Sequence, residues 1–258
     1  MSQPSGDYLL RDKVAIITGA GGDIGRAIAV RYAQEGARVA VAELKAELAE
    51  QTAAAVRDAG GEALVLVTDV SKRSDTEAMA RRTVERWGRI DVLVNCAAIF
   101  GTIRRVPFYE LTEEEWDAVM AVNLRGMWLC CKAVFPYMRD QGGGRIINIA
   151  SGTVFWGSPQ FLHYVTSKAG VIGLTRALAR EVGQYGINVN AVAPGLTVTS
   201  GSLATTTREY MEQRAQEGAF KRPEVPADLV GTFVYLASAD SAFVTGQTIV
   251  VDGGRVFW

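Results

Sequence analysis

The chain of 258 residues is 48% hydrophobic and 21% charged, which is typical of a compact globular domain and excludes disordered, fibrous and disulfide-rich classes. Its 27 basic residues nearly balance its 28 acidic ones, and no dense basic run indicates nucleic acid or an anionic membrane as a partner. The three cysteines have no zinc-site spacing and suit a reducing compartment. Residues 1–13 lack signal-peptide features and no uncharged apolar stretch is long enough for a bilayer, so we expect a soluble cytoplasmic protein without a metal site.

Short β-branched apolar runs alternate with longer amphipathic patterns, which is the order of elements in a doubly wound parallel sheet. The apolar runs predict seven strands, at 13–18, 37–42, 63–67, 91–95, 145–149, 187–192 and 248–251. The amphipathic patterns predict a helix from about residue 23 and others at about 44–59, 73–87, 112–138, 161–184 and 227–237. We therefore predict a single α/β domain of the Rossmann type over residues 1–258, whose seven-stranded parallel sheet carries helices on both faces.

The segment 195–226 departs from this alternation and is rich in Thr, Gly, Glu and Arg. It follows the carboxyl end of a predicted strand, where sheets of this kind bind ligands. It is either an exposed insertion or a mobile cover over a site, and its position favours the substrate cover.

A glycine-rich loop, from Thr18 to Gly25, joins the first predicted strand to the first helix. Such glycines can simply form turns, but directly after a strand they also let the backbone approach a pyrophosphate at the helix N-terminus. Glu43 ends the second strand, where a carboxylate either accepts hydrogen bonds from ribose hydroxyls or is a solvated charge at a helix start. We predict a dinucleotide site with NAD preferred, because a 2′-phosphate would meet the charge of Glu43; Lys45 is the one nearby cation that could overturn this preference.

Tyr164 and Lys168 are four residues apart on a predicted helix, so their side chains lie on one face. A nearby ammonium stabilises a phenolate, so we expect Lys168 to lower the pKa of Tyr164 and make it the acid/base for an alcohol proton. Ser151, at the end of the fifth strand, is positioned to hydrogen-bond the substrate oxygen. This spacing of Tyr and Lys also occurs by chance on helix surfaces, and the other motifs argue against chance here.

Together these motifs resemble the short-chain dehydrogenase/reductase family over essentially the whole chain. The resemblance implies hydride transfer between a nicotinamide cofactor and a secondary alcohol or ketone, with Lys168 also on the nicotinamide ribose and Asn123 holding a water. The implied catalytic set is Asn123, Ser151, Tyr164 and Lys168. The implied NAD-binding set is Gly19, Asp23, Ile24, Gly25, Glu43, Leu44, Asp69, Val70, Asn95, Ala97, Tyr164, Lys168, Pro194, Gly195, Thr197 and Thr199.

Several positions depart from the family pattern. Asp23 replaces a usual glycine, and we expect it to cap the first helix. Cys96 and Ala98 replace an asparagine and a glycine beside Asn95, and Thr197 replaces a β-branched aliphatic residue. None of these changes removes a residue of the implied catalytic set.

Three aromatic residues lie between Ser151 and Tyr164 in the sequence: Phe155, Trp156 and Phe161. They predict an apolar, ring-containing substrate, although each taken singly fits a core or interface position equally well. Arg104 and Arg105 follow the fourth strand and are either a carboxylate-binding point at the rim or two solvated charges. His163 points away from the face of Tyr164, so we expect no catalytic or metal role for it.

The resemblance also implies a homotetramer, with apolar surfaces at Trp116–Met138 and Phe243–Trp258 buried against other copies. We expect Phe257 and Trp258 to pack on a neighbouring subunit. Three alternative functions remain open: a nucleotide-binding regulator without turnover, a sugar-nucleotide epimerase or dehydratase, and a 3-oxoacyl-carrier-protein reductase. The epimerases need a larger C-terminal domain than this chain has after Gly195, and the reductase would be favoured by NADPH preference and a basic docking patch.

Overall fold

The computed structural model describes residues 9–257. The strands are β1 Val14–Thr18, β2 Arg38–Glu43, β3 Ala63–Val67, β4 Val92–Asn95, β5 Gly144–Ile149, β6 Ile187–Pro194 and β7 Thr248–Val251. The helices are α1 Asp23–Gln34, α2 Ala46–Asp58, α3 Arg73–Trp87, α4 Glu113–Met120, α5 Met127–Asp140, α6 Thr153–Trp156, α7 Leu162–Val182, α8 Ser200–Leu203, α9 Arg208–Ala215 and α10 Pro226–Ala237. The predicted α/β class and all seven strands are confirmed.

The seven strands form one parallel sheet in the order β3-β2-β1-β4-β5-β6-β7. Strands β1 and β6 are buried along their whole length, because helices cover both faces of the sheet. One apolar cluster packs α1, α2 and α10 on one face, and a second packs α3, α5 and α7 on the other. The Tyr32 hydroxyl of α1 donates to the carbonyl of Phe233 in α10 at 2.9 Å, which joins two helices of the first layer.

The chain crosses from one side of β1 to the other between β3 and β4. The loops that follow β1 and β4 therefore diverge into opposite layers and leave a crevice at the carboxyl edge of the sheet. Thr18, the last residue of β1, bridges this crossover: its Oγ1 accepts hydrogen bonds from the amides of Cys96 and Ala97 at 3.1 and 3.2 Å. The two loops are thus fixed side by side at the place where a ligand binds in such sheets.

One predicted helix, at 112–138, is interrupted in the structure. Helices α4 and α5 are joined by a π-helical turn, Ala121–Gly126, which contains Asn123. The continuous run Glu113–Asp140 is 28 residues long and, by length and composition, apolar enough to cross a bilayer, but 50% of its apolar window is buried inside the protein. It packs against α3, α7 and the sheet, as a core helix does. Wide turns of this kind are frequent at functional sites.

The segment 195–226 contains two short helices, α8 and α9, and is fastened at two points. Glu224 accepts hydrogen bonds from the Thr197 hydroxyl at 2.5 Å and from the Gly195 amide at 3.1 Å, which closes the segment on itself beside β7. At its other side, Asp23 Oδ2 accepts from both the amide and the hydroxyl of Ser200, each at 2.6 Å. The segment is therefore tied to the glycine loop.

The expectation that Asp23 caps α1 is wrong. The N-cap is Gly22, in an extended conformation, and it has no side-chain cap. Asp23 is the first helical residue, where a side chain cannot turn back to the helix amides as an N-cap side chain does. Its carboxylate instead reaches Ser200, across the crevice.

Glu224 makes stability depend on pH. Burial raises the pKa of Glu224 from 4.5 to about 7, with Asp228 and Asp252 adding to the rise and the hydrogen bonds from Thr197 and Gly195 opposing it. Below pH 4.5 the Glu224 carboxyl is protonated in both the folded and the unfolded protein. Between pH 4.5 and about 7 it is ionised in the unfolded chain but still protonated in the folded protein. Its contribution to the free energy of unfolding is therefore full at low pH and is lost as the pH rises through about 7.

We expect Glu224→Gln to remove this loss, on the order of 1–3 kcal/mol, because the amide cannot ionise. Its oxygen can still accept from the Gly195 amide, and its NH2 group can donate to the Thr197 hydroxyl oxygen. Urea unfolding of both proteins from pH 4 to 8 measures the difference. Burial lowers the pKa of His163, which has the opposite effect on stability but cancels in the comparison. If the difference in free energy of unfolding between the two proteins did not change with pH, Glu224 would not be the group responsible.

Candidate active site

The glycine loop packs tightly on the loop after β4. Gly19 has a φ of +63°, and a Cβ there would lie 2.6 Å from the Ala97 Cα. At Gly25 a Cβ would lie 2.4 Å from the Gly19 carbonyl oxygen. A Cβ added at Gly22 would meet only the Gly19 carbonyl oxygen, at 3.5 Å, so the space beside Gly22 is open. The backbone N–H groups of the first turn of α1, which includes Ile24, have no partner within the helix and can donate to an anion at this point.

The Glu43 carboxylate lies against the same loop. It accepts hydrogen bonds from the amide of Gly21 at 3.1 Å and from the amide of Lys45 at 3.2 Å. Leu44 is exposed beside it, and the Lys45 side chain forms no ion pair within residues 9–257. Free amides at a helix N-terminus and a carboxylate at the end of β2 match the pyrophosphate and the ribose hydroxyls of a dinucleotide, so these residues fit a nicotinamide cofactor.

Asp69 and Val70 follow β3, as predicted, and border the same edge. The Asp69 carboxylate accepts from the amide and hydroxyl of Ser71, and the hydroxyl contact holds the pKa of Asp69 below its usual value. Val70 is buried against Gly126 at the end of the π-helical turn, where an added Cβ would lie 3.0 Å from its side chain. Val70 therefore joins this loop to the helix that contains Asn123.

The structure does not bring the Asn95 side chain to the crevice, although the sequence predicts it as a cofactor residue. It is buried in the sheet, where Nδ2 donates to Asn148 Oδ1 of β5 at 2.9 Å, and Asn148 in turn donates to the Thr175 hydroxyl of α7 at 3.0 Å. The reason is the alternation of side chains along a strand, which turns the last residue of β4 toward the layer of α7. Asn95 therefore joins β4, β5 and α7.

Tyr164 lies at the N-terminal end of α7 among aromatic rings. The Phe161 ring stacks on it with a centroid distance of 4.6 Å, and the Phe100 ring lies 5.2 Å away. The Lys168 Nζ lies 5.7 Å from the centre of the Tyr164 ring and donates to the Ile149 carbonyl, the last of β5, at 2.7 Å. Both Tyr164 and Lys168 are buried, so the i, i+4 pair faces the protein and does not decorate a helix surface.

The expected lowering of the Tyr164 pKa is wrong for the free protein. Burial raises the pKa of Tyr164 above its usual value, more than the Ser151 hydroxyl lowers it. Burial likewise lowers the pKa of Lys168 to about 8. Each charged form loses its hydration, and Lys168 gives its hydrogen bond to Ile149. The phenol is consequently neutral at physiological pH, which makes it a proton donor.

Ser151 and Asn123 lie on the two sides of this pair. Ser151 is buried directly after β5, and its Oγ accepts from the Thr153 hydroxyl at 3.0 Å. Asn123 accepts from the Ile99 amide at 2.7 Å and donates to the Ser167 hydroxyl at 3.3 Å. Asn123 thereby joins the loop after β4 to α7, one residue before Lys168.

Residues after β6 border the crevice from the segment 195–226. The Pro194 carbonyl accepts from the Gly152 amide at 2.8 Å, beside Ser151. The Thr197 hydroxyl is taken by Glu224, and Thr199 uses its hydroxyl to cap α8 at the Ser202 amide. The Thr197 hydroxyl proton is therefore donated to Glu224, while its oxygen can still accept a hydrogen bond, and the Thr199 hydroxyl is engaged within α8.

Of the three aromatic residues predicted to contact substrate, the structure brings one to Tyr164. Phe161 stacks on it, whereas Phe155 packs on the apolar cluster around Met127 and Val171, as its core interpretation predicted. Trp156 lies beside Gly152, where an added Cβ would be 2.6 Å from its ring, and the Arg255 guanidinium covers it at 4.0 Å. Phe155 and Trp156 both lie in α6, and residues 157–160 separate them from Phe161.

Three residues of the site were missed by the sequence analysis. Phe100 packs on both Tyr164 and Phe161, and its position after β4 was the available signal. Cys96 follows β4 directly, and burial raises the pKa of its thiol to about 12, which makes the thiol unreactive. Glu224, distant in sequence, gave no local signal.

Comparisons with known proteins agree with this geometry. The family model described as enoyl-(acyl carrier protein) reductase matches residues 19–255. The chain is 38% identical to the (2S)-[(R)-hydroxy(phenyl)methyl]succinyl-CoA dehydrogenase subunit BbsD of Thauera aromatica, over 95% of this chain and 97% of that protein. It is 39% identical to the 3-oxoacyl-[acyl-carrier-protein] reductase FabG of Thermotoga maritima, over 96% and 99% of the two chains.

Solved structures give the same result. The crystal structure of levodione reductase superimposes with a TM-score of 0.91 at 36% identity and covers 95% of this chain and 98% of its own. A short-chain type dehydrogenase/reductase from Mycobacterium marinum has a TM-score of 0.90 at 34% identity, with 97% and 98% covered. Members of the family that these matches define use nicotinamide cofactors. This chain belongs to the short-chain dehydrogenase/reductase family.

Proposed function

We propose that this protein is an NAD(H)-dependent enzyme that interconverts a secondary alcohol and a ketone, with Tyr164 as the proton donor and acceptor. The observation that carries the proposal is the neutral, buried phenol of Tyr164, which has Ser151 and Lys168 beside it and aromatic rings around it. This group lies at the same sheet edge as the glycine loop. A proton donor beside a hydride site is what carbonyl reduction requires.

A nicotinamide cofactor, when bound, supplies or accepts the hydride. Tyr164 donates its hydroxyl proton to the oxygen of the ketone, and the same oxygen returns the proton when an alcohol is oxidised. The Ser151 hydroxyl orients that oxygen by a hydrogen bond. Lys168, with a pKa near 8, stabilises the phenolate left on Tyr164, and Asn123 fixes the backbone on which this helix packs.

The proposed substrate is apolar and ring-containing. Phe161 is buried between the Tyr164 ring and the Arg105 guanidinium, whereas Phe100, which packs on both rings, is partly exposed. Phe100 therefore supplies an aromatic surface beside Tyr164, and such surfaces are common in sites for cyclic or aryl groups. Among the relatives, the name of BbsD states a substrate with a phenyl group next to a secondary alcohol. A 3-oxoacyl-carrier-protein reductase is the second candidate, favoured by the identity to FabG, while Glu43 argues against the NADPH use that this candidate implies.

Tyr164→Phe removes only the transferable proton, so we expect turnover to fall about 10²–10⁴-fold while the protein stays folded. The rate of ketone reduction under conditions where chemistry limits turnover is the measurement. Tyr32→Phe is the matched control, because it deletes a buried hydroxyl bonded to Phe233 in the helical layer of α1 and α10. It should lower stability by about 1 kcal/mol and leave turnover unchanged. Wild-type turnover in the Tyr164 variant would refute the proposed role.

Glu43 should set the preference for NAD over NADP. A 2′-phosphate beside its carboxylate brings like charges together, so we expect a wild-type preference above about tenfold in kcat/KM. Glu43→Gln keeps an acceptor for the Gly21 amide and removes the charge, so NADP use should rise relative to NAD.

Glu47→Gln is the matched control for this change, since it removes an exposed carboxylate four residues further on, in α2. The ratio of kcat/KM with NAD to kcat/KM with NADP in this variant should equal that of the wild type. Equal kcat/KM for the two cofactors in the wild type, or an unchanged ratio in Glu43→Gln, would disprove the NAD assignment.

We also propose a homotetramer. Phe243 and Phe257 are exposed over most of their surface, which is unfavourable in water unless another copy covers them. The expected packing of Trp258 lies outside the described residues. Light scattering at micromolar concentration should give a tetramer mass, and a monomer mass would reject this proposal.

A further inference from the structure

Two neighbouring arginines follow β4, and the structure gives them different partners. Arg104 forms a paired contact with Glu115, at 2.8 Å from Nε and 3.0 Å from Nη2, and donates to the Glu110 carbonyl at 3.1 Å. Arg105 is exposed and makes no hydrogen bond or ion pair with any residue from 9 to 257. Arg104 therefore holds the loop to α4, and Arg105 keeps its donors unused.

Arg105 is nevertheless held in a defined place. Its guanidinium carbon lies 4.5 Å from the centre of the Phe161 ring, and Phe161 in turn stacks on Tyr164. A guanidinium on an aromatic face is oriented by the ring, while the N–H groups at its edge remain free for a carboxylate. A full positive charge thus lies one aromatic ring away from the proposed proton donor.

The charged residues around Arg105 do not pair with its guanidinium. Glu110 and Glu115 both act on Arg104, and the Arg104 guanidinium binds the Glu115 carboxylate, whereas no carboxylate among residues 9–257 forms an ion pair with Arg105. The contact with Arg104 lowers the pKa of Glu115 to about 2, so the carboxylate is ionised and paired with that guanidinium. An anion that reaches the exposed side of this loop therefore meets one unpaired arginine, Arg105.

We propose that Arg105 binds a carboxylate of the substrate, so that the preferred substrates are ring-containing secondary alcohols or ketones that also carry an acid group. This inference rests on the proposed function and adds the anionic group to it. The planar fork of arginine matches a carboxylate with two parallel hydrogen bonds, which also fixes the orientation of the carbonyl carbon toward Tyr164. A purely solvated Arg105 would give acids no advantage over neutral analogues.

The test compares 4-oxo-4-phenylbutanoate with its methyl ester, which keeps the ketone and the ring and removes the charge. For the wild type we expect the acid to exceed the ester in kcat/KM by about tenfold to a hundredfold, mainly through a lower KM. Arg105→Gln should bring this ratio close to one, and Arg105→Lys should restore part of it. Added salt should reduce the wild-type ratio, because the contact is exposed.

Arg104→Gln is the matched control, since it removes the same charge from the same loop at a position that is already paired. It should lower stability and keep the acid-to-ester ratio. Binding of 4-phenylbutanoate, an acid that cannot react, to the cofactor-loaded wild type and variants by calorimetry gives a second readout that is independent of turnover. Weaker binding in Arg105→Gln and wild-type affinity in Arg104→Gln are expected.

The outcomes separate the two proposals. If the wild type reduces the ester and other aryl ketones but shows no preference for the acid, the role of Arg105 is wrong and the proposed oxidoreductase function stands. An equal fall of the ratio in Arg104→Gln and Arg105→Gln would also overturn it, because the effect would then be general loop charge. If no secondary alcohol or ketone is turned over with either cofactor, the proposed function itself fails.

Discussion

The arrangement of the whole site depends on the contact between two loops at the crossover of the sheet. Gly19 lies against Ala97 so closely that any side chain at position 19 would overlap the backbone, and the Thr18 hydroxyl joins the two loops by hydrogen bonds. This contact places the amides at the start of α1 beside the chain that continues to Phe100 and Arg105. The glycine loop and the proposed substrate end of the site are thereby set at a fixed distance by the backbone.

The second constraint is burial of two titratable groups in one place. Tyr164 and Lys168 each lose hydration on folding, which pushes both toward their neutral forms. The protein offsets this with the hydroxyl of Ser151 for the phenol and the carbonyl of Ile149 for the ammonium. Because one turn of helix fixes the spacing of the pair, the chemistry depends on α7 as a rigid element more than on any loop.

Much of this could be predicted from the chain alone, because the information is local. Apolar runs such as 14–18 fix a buried parallel strand, and the spacing of Tyr164 and Lys168 fixes a shared helix face. Other features depend on non-local contacts. The direction of the Asn95 side chain, the partner of Asp23 and the net sign of the Tyr164 pKa shift each depend on residues from distant segments: Asn148, Ser200 and the rings around the phenol. For Phe155 the sequence left core and site positions open, and the packed structure places it against an apolar cluster.

The contact between Asp23 and Ser200 has a thermodynamic consequence. The Asp23 carboxylate lies at the N-terminus of α1, in the positive potential to which a pyrophosphate would also be drawn. An anion bound at this helix end and the Ser200 contact therefore act on the same carboxylate. By linkage their coupling is reciprocal: whatever free energy the anion adds to or removes from the contact, the contact adds to or removes from anion binding. A single departure from glycine in the loop thus couples the occupancy of the helix end to the conformation of the segment 195–226.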